Sequence, residues 1–275
     1  MKRKLIRYNI PAFLILAAGS VIMLFPFIWM VLSSFKTPAD VYAYPPKWIP
    51  SSFKFDNFMQ VFDKIPFWRY YANSIYVSVW QTFLQISISI TAAYALAKLE
   101  FPGSSKVFAF IQSSMFIPAV VTMIPLFIVV SSLKLVDTYA GIILPQISGA
   151  FTTILIYSFF VSVPNELLDA AKIDGCNYYS MLYKIMLPNA TTAISTATLF
   201  AFLSHWRSYT WPLIITNRTE LRTLPIGLKY LVQETSSEYQ LMMAASLMAI
   251  IPILIVFIFT EKQFVRSLTL TGLKA

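Results

Sequence analysis

Residues 165–188 read NELLDAAKIDGCNYYSMLYKIMLP, and the reading of this stretch decides the fold. Charged residues make up only 12% of the chain, yet Glu166, Asp169, Lys172, Asp174 and Lys184 all fall here, between two long apolar runs. Asn165 is a preferred N-cap, and Glu166 and Asp169 lie near the first turn, where the helix dipole favours acids. Residues 166–173 therefore read as about two helical turns with Leu167, Leu168, Ala170, Ala171 and Ile173 on an apolar side. Gly175 after Asp174 is the residue expected to end such a helix in a left-handed conformation. A second helix, about 177–187, carries Tyr178, Leu182 and Ile185 at helical spacing, and Pro188 is expected to stop it. Two short amphipathic helices joined by a glycine elbow are too short to be stable alone. They must pack on something. A partner protein and the lipid headgroups both fit that surface, and the acids Glu166, Asp169 and Asp174 favour the protein because anionic lipid repels them.

The rest of the chain is apolar. Hydrophobic residues make up 57% of the 275 positions. A membrane span needs about 20 apolar residues. Six stretches qualify, near 12–33, 74–97, 107–131, 140–163, 193–216 and 241–260, and only the fifth contains a charged residue or histidine. The reading is an all-α membrane protein of six transmembrane helices forming one domain over 1–275. Pro26, Pro118, Pro125, Pro145, Pro212 and Pro252 fall inside these runs and are expected to kink them.

The net charge of +9 is spread over short loops, which argues for topology rather than nucleic acid. MKRKLIR precedes the first span, with Lys36 alone just after it, so both termini are expected in the cytoplasm. The outer loop 34–73 holds Lys36, Lys47, Lys54, Lys64 and Arg69; long loops translocate largely regardless of charge. One cysteine, Cys176, excludes an internal disulfide, and one histidine, His205, excludes a paired-histidine zinc motif. No phosphate-binding G-x-x-x-x-G-K-[ST] occurs, so no ATP or Mg site is expected in this chain and an enzyme is not indicated.

Polar groups inside spans are the default functional positions of a membrane protein. Asn73, Ser78, Gln81 and Gln85 mark the second run, Gln112 and Gln146 the third and fourth, and Ser204, His205, Trp206, Arg207 and Tyr209 the fifth. Helix–helix hydrogen bonding and a substrate pathway are both open for the glutamines. For the fifth-run cluster, aromatic rings offer stacking to sugars. Arg207 suits a carboxylate or phosphate, or an acid on a neighbouring subunit.

The order and spacing of Asp169-Ala170-Ala171, Gly175 and Ile185-x-Leu187-Pro188 resemble the EAA loop of binding-protein-dependent ABC importer permeases. AYALAKLEFPG (93–103), IPAVVTMIPLF (117–127), DTYAGIILP (137–145), WPLIIT (211–216) and RTLPIGL (222–228) are similar to the sugar-importer subfamily of the maltose-permease G type. Three departures are visible: Asp169 stands for glutamate, Thr192 stands where a proline is usual, and Trp206-Arg207-Ser208-Tyr209 replaces the common W-N-D/E-F.

The resemblance implies a type I importer permease (MetI-like, maltose-permease-like) fold in a bacterial-type inner membrane. It further implies a second homologous permease subunit, two cytoplasmic ATPase subunits carrying ATP and Mg, and an extracytoplasmic substrate-binding protein docking on loops 34–73 and 217–240. By the same resemblance Glu166, Asp169, Ala170, Ala171, Asp174, Gly175, Leu182 and Pro188 form the ATPase-coupling contact. The substrate pathway is expected at Gln81, Gln85, Gln146, His205, Trp206, Arg207 and Tyr209, for a sugar, or in the alternative an anionic sugar derivative or glycerol phosphate. A self-sufficient secondary carrier and a non-transporting scaffold or enzyme are the rival classes. The spans hold no acidic residue for proton coupling, and no repeat is visible.

Overall fold

The computed structural model describes residues 10–234 and 238–271, with side chains over 11–232 and 238–261. The basic positions Lys2, Arg3, Lys4, Arg7 and Lys274, and the side chains of Lys262 and Arg266, lie outside that range. Among the described residues there is no strand.

The helices include α1 (Ile10–Ser34), α2 (Phe67–Lys98), α3 (Ser104–Ser114), α4 (Ala119–Ser132), α5 (Tyr139–Ile143), α6 (Ala150–Ser162), α7 (Asn165–Ile173), α8 (Tyr178–Met181), α9 (Thr191–Trp206), α10 (Thr210–Ile215), α11 (Leu224–Glu234) and α12 (Tyr239–Thr271), and short helices also form at Pro38–Val41, Asp56–Lys64 and Leu187–Asn189. Three segments are continuous and apolar enough to cross a membrane: Pro11–Ser34, Phe67–Lys98 and Tyr239–Glu261. Up to three more are bent helix pairs: Ser104–Ser114 with Ala119–Ser132, Tyr139–Gln146 with Ala150–Ser162, and Tyr178–Asn189 with Thr191–Trp206.

Each bend has a local cause. The run 107–131 is not one helix: α3 and α4 meet at 105° around Pro118. Proline lacks the N–H that would continue α3 and drives the residue before it away from helix. Ser113 and Ser114 also turn their hydroxyls back onto the carbonyls of Ala109 and Ile111, a contact that bends helices. In the fourth span, α5 runs on as a 3-10 turn Leu144–Gln146, and Ile147–Gly149 then breaks it by 44° before α6. The fifth run, expected over 193–216, ends at Trp206. Arg207 caps α9, and the chain restarts as α10 with Pro212 in its first turn, where a missing N–H costs little. Pro26, Pro125 and Pro252 lie inside unbroken helices.

The chain divides into two compact units. The first comprises residues 1–67 and 228–250. Its polar knot follows α1. Asp40 is buried and accepts hydrogen bonds from Lys47 Nζ, Ser51 N and Ser51 Oγ, with Lys47 leading, and these hold its carboxyl far below the usual carboxylate range. Asn57 Nδ2 donates to the carbonyls of Ser34 and Lys36, which ties the helix Asp56–Lys64 to the end of α1. Lys36 is fully buried, with its ammonium 3.7 Å from the centre of the Trp29 ring.

The second unit, residues 68–227 and 251–275, carries the functional features. Along α2 a stripe of Ser74, Ser78, Gln81, Thr82, Gln85 and Ser89 is buried at helical spacing. Its partners are interhelical: Ser74 Oγ accepts from Leu224 N, Gln81 Nε2 donates to Ile142 O, and Thr153 Oγ1 donates to Ser89 Oγ. Hydrogen bonds between helices hold a membrane bundle together where burial alone gives little drive.

Candidate functional site

The charged stretch folds as α7 and α8 joined at Gly175. α7 starts at Asn165 itself, with Pro164 at the cap and no side-chain cap, which corrects the expected Asn165 cap. Asn165 is used elsewhere: its Oδ1 accepts from Lys98 Nζ, which also donates to Val163 O. At the other end, Gly175 takes φ +78°, Gly175 N donates to Lys172 O, and Cys176 N donates to Ala171 O. This is a Schellman ending, in which the residue after the glycine commonly makes an apolar contact. Cys176 is half-buried and packs against the core below it. The spacing around Gly175 predicted the left-handed turn; it gave no sign of the role of Cys176.

Pro188 does not stop the second helix. The chain passes from Tyr178–Met181 through a π turn, Leu182–Met186, into Leu187–Asn189, and the sharp 82° bend comes at Ala190. A proline clashes with the carbonyl four residues earlier, here Lys184, and the wider π turn relieves that clash.

Leu168 and Ala171 of α7 and Met181, Leu182 and Met186 of the next segment are buried in one core with Ala93 and Tyr94 of α2 and Ile156 and Phe160 of α6. Ala171 and Leu182, 6% and 4% exposed, thus belong to the chain's own packing. They are not on the outward face expected for them. That face instead shows Ile173 at 87% and Tyr179 at 77%, with Leu167, Tyr178 and Tyr183, and Glu166, Asp169, Ala170, Asp174, Gly175 and Pro188 are exposed with them. Asp169 pairs with Lys172 at 3.0 Å, and this bond raises the lysine's pKa.

The second feature lies where the breaks of the fourth and fifth spans meet α2. Gln85 Nε2 donates to Thr152 Oγ1 at 2.7 Å, and Gln85 Oε1 lies 2.7 Å from His205 Nε2. An amide oxygen only accepts, so this nitrogen of His205 carries the proton. Gln85 also lies against Gly149, where any Cβ would collide with its amide. Beside this pair is a cavity of about 270 Å³ lined by Gln85, Gln146, Ser148, Ser204, His205 and Ser208, with Phe151 and Phe200 also on its wall. The structure brings Gln85, Gln146 and His205 together on the wall of this cavity. Gln81 is buried within the bundle, and Trp206 is buried against Phe202 and Tyr71. Arg207, exposed, and Tyr209 sit in the break between α9 and α10. Ser148 and Ser208 were missed. The QISGA segment around the fourth-span break was the available signal for Ser148.

A helical membrane chain with broken spans around a polar cavity, and a rigid pair of short helices built into the bundle beyond the span ends, is a transporter permease. It belongs to the family of binding-protein-dependent transport system inner membrane components, whose model matches residues 85–268. The chain is 33% identical over 256 residues to the arabinooligosaccharides transport system permease protein AraQ of Halalkalibacterium halodurans, covering 92% of each chain. It is also 33% identical over 253 residues to the sulfoquinovosyl glycerol transport system permease protein SmoH of Agrobacterium fabrum, covering 91% of this chain and 89% of that one. To the sn-glycerol-3-phosphate transport system permease protein UgpE of Escherichia coli it is 30% identical, covering 92% and 93%. Among solved structures, a chain of a bacterial ABC transporter involved in import of the acidic polysaccharide alginate superposes with a TM-score of 0.81 at 26% identity, covering 96% of this chain and 99% of that one. The six-span reading with a maltose-permease-like fold therefore holds, with three of the spans broken. The chain is a permease component of an importer.

Proposed function

We infer that this chain is one half of the translocation pathway of an ATP-driven importer for a saccharide or saccharide derivative. A homologous second permease completes the pathway, two cytoplasmic ATPase subunits bind and hydrolyse ATP with Mg, and an external binding protein delivers the substrate. Both termini and residues 165–188 lie on the cytoplasmic side.

The observation that carries this reading is the core shared by the short helices and the spans. Leu168, Ala171, Met181, Leu182 and Met186 pack with Tyr94 of α2 and with Ile156 and Phe160 of α6. Cores are close-packed and transmit displacement. An ATPase that closes on Ile173, Tyr179 and the acids around them pushes directly on α2 and α6, which wall the polar cavity through Gln85 and Thr152. The bundle then rocks between inward-open and outward-open forms.

The substrate class rests on the relatives. Their names give arabinooligosaccharides, sulfoquinovosyl glycerol and glycerol phosphate, each of which carries two or more hydroxyl groups. Co-expression with candidate partner subunits tests the assembly. An ATPase subunit co-purifies with the unmodified chain and is lost from Tyr179→Glu, a surface change that leaves membrane insertion intact. Retention of the ATPase by that variant refutes the docking face.

A further inference from the structure

The wall of the cavity beside Gln85 has a composition that selects its ligand. Gln146, Ser148, Ser204 and Ser208 line it, and their side chains make no hydrogen bond to another described residue. With Gln85 Oε1 and Nε2 engaged by His205 and Thr152, Nδ1 of a neutral His205 adds an acceptor. The amides and hydroxyls are neutral, and an imidazole is neutral above its ordinary value of about 6.5. Hydroxyls and amides both donate and accept, which matches a polyol, whose hydroxyls do the same. No Asp, Glu, Lys or Arg lies on the wall. A charge brought inside would lose its hydration without a counter-ion, which is costly.

Two more observations shape the occupant. Phe151 and Phe200 stand edge to face at 5.9 Å on the same wall, and both are half-exposed. Aromatic faces cover the apolar C–H side of a sugar ring while its hydroxyls turn to the polar wall. The volume of about 270 Å³ is small beside pockets for drug-sized ligands, about 300–1,000 Å³, and suits a single ring. The cavity lies between broken helices, the arrangement that holds substrate in secondary carriers. Here the breaks at Ile147–Gly149 and Arg207–Tyr209 both adjoin the cavity. Arg207 is outside the wall.

We propose that this chain carries a charge-blind subsite, formed by Gln146, Ser148, Ser204, His205 and Ser208 with Phe151 and Phe200, that holds one neutral polyol unit of the passing substrate. It rests on the importer reading above. An anionic group on the same substrate stays outside the cavity.

The complete importer in proteoliposomes, with its partner permease, ATPases and binding protein, provides the test. Uptake of arabinotriose, sulfoquinovosyl glycerol and glycerol 3-phosphate is measured beside binding-protein-stimulated ATP hydrolysis. Ser204→Trp fills the cavity from its exposed wall, whereas Ser204→Ala leaves it open. For whichever probe the unmodified importer carries, Ser204→Trp lowers uptake at least about tenfold while stimulated hydrolysis stays within about twofold. Ser204→Ala, which removes one hydroxyl and leaves the cavity open, raises the uptake KM by a few fold with kcat retained. Gln146→Leu raises the uptake KM about tenfold with kcat retained, and this variant carries the test if Ser204→Trp lowers the Tm. Unchanged uptake by Ser204→Trp, or an unchanged KM in Gln146→Leu, overturns the subsite and leaves the importer standing. Where the unmodified importer carries both neutral and anionic probes, a loss by Ser204→Trp confined to the anionic ones overturns its neutral character. An unmodified assembly that carries none of the three refutes the saccharide importer reading and the subsite with it.

Discussion

The amide of Cys176 donates to the carbonyl of Ala171 across 2.9 Å, and Gly175 between them stands at φ +78°. This bond closes α7 and fixes the angle at which the next helix leaves. An exposed face of the elbow looks outward, while Ala171 and Cys176 tie its inner side to the core.

Gly175→Val is therefore expected to uncouple. A left-handed conformation costs an L-residue about 1–2 kcal/mol, and a β-branched one more. No neighbouring atom would obstruct a Cβ here, so the effect is backbone strain alone. Uptake by reconstituted vesicles should fall to background while protease mapping shows the spans inserted as before, and Gly175→Asn should retain most activity. Full uptake by the valine variant would refute the elbow as a rigid transmitter.

Gly149→Ala tests the Gln85 hub. The added methyl collides with the Gln85 amide and breaks its bonds to Thr152 and His205, at a cost of about 1–3 kcal/mol. A lowered Tm in detergent is expected, and Gly149→Ala with Gln85→Ser should recover part of it because the smaller side chain removes the collision. Additive losses in the double variant would show that the two positions do not interact.

Asp137 supplies a pH-dependent clasp to the segment that follows α10. Its carboxylate accepts from the backbone amides of Arg218 and Asn217, and from Arg218 Nε at 2.7 Å. The Arg218 backbone N–H first, then its guanidinium and the Asn217 amide, hold the carboxyl below its ordinary value. The stabilisation is present above the unfolded value, about 3.9, and is lost as pH falls through the lower folded value. Asp137→Asn should thus cost about 1 kcal/mol at pH 7 and nothing once the native carboxyl is protonated. Limited proteolysis of the 216–222 segment across that range measures it, and a difference that persists in acid would reject the clasp.

Arg207→Gln distinguishes charged from neutral cargo. If the exposed guanidinium in the α9–α10 break meets an anionic substrate group, uptake of glycerol 3-phosphate falls about tenfold or more and uptake of arabinotriose does not. Equal losses for both would assign Arg207 to the bundle or to a neighbouring subunit.

Much of this was legible in the sequence because its signals are local. Gly175 needs no tertiary information to be read as a helix end, and apolar runs of about 20 residues are read directly as spans. Helix continuity was less legible. The run 107–131 looks uniform in hydropathy, yet Pro118 and two serines turn it by 105°. The run 193–216 hid a break because Arg207–Tyr209 resembles any polar interruption in a greasy helix. Side-chain direction was least legible: Leu182 looked like a surface residue until the π turn, which no pattern of apolar spacing announces, turned it inward. Gln81 and Gln85 have the same residue type and similar burial. Only the crossing of α6 and α9 beside Gln85 separates the one that lines a cavity from the one that joins two helices.

The π turn over Leu182–Met186 also makes the aim of the docking face tolerant of chain length. It holds one residue more than an α-helical turn would need to reach Leu187. Removing a single residue there would be absorbed by conversion to α-helix, because the tighter α turn carries the shorter chain through nearly the same rotation. Tyr179 would then keep nearly its present direction relative to Leu187–Asn189. Substitution scans of residues 165–188 would never detect that tolerance, whereas a one-residue deletion series would.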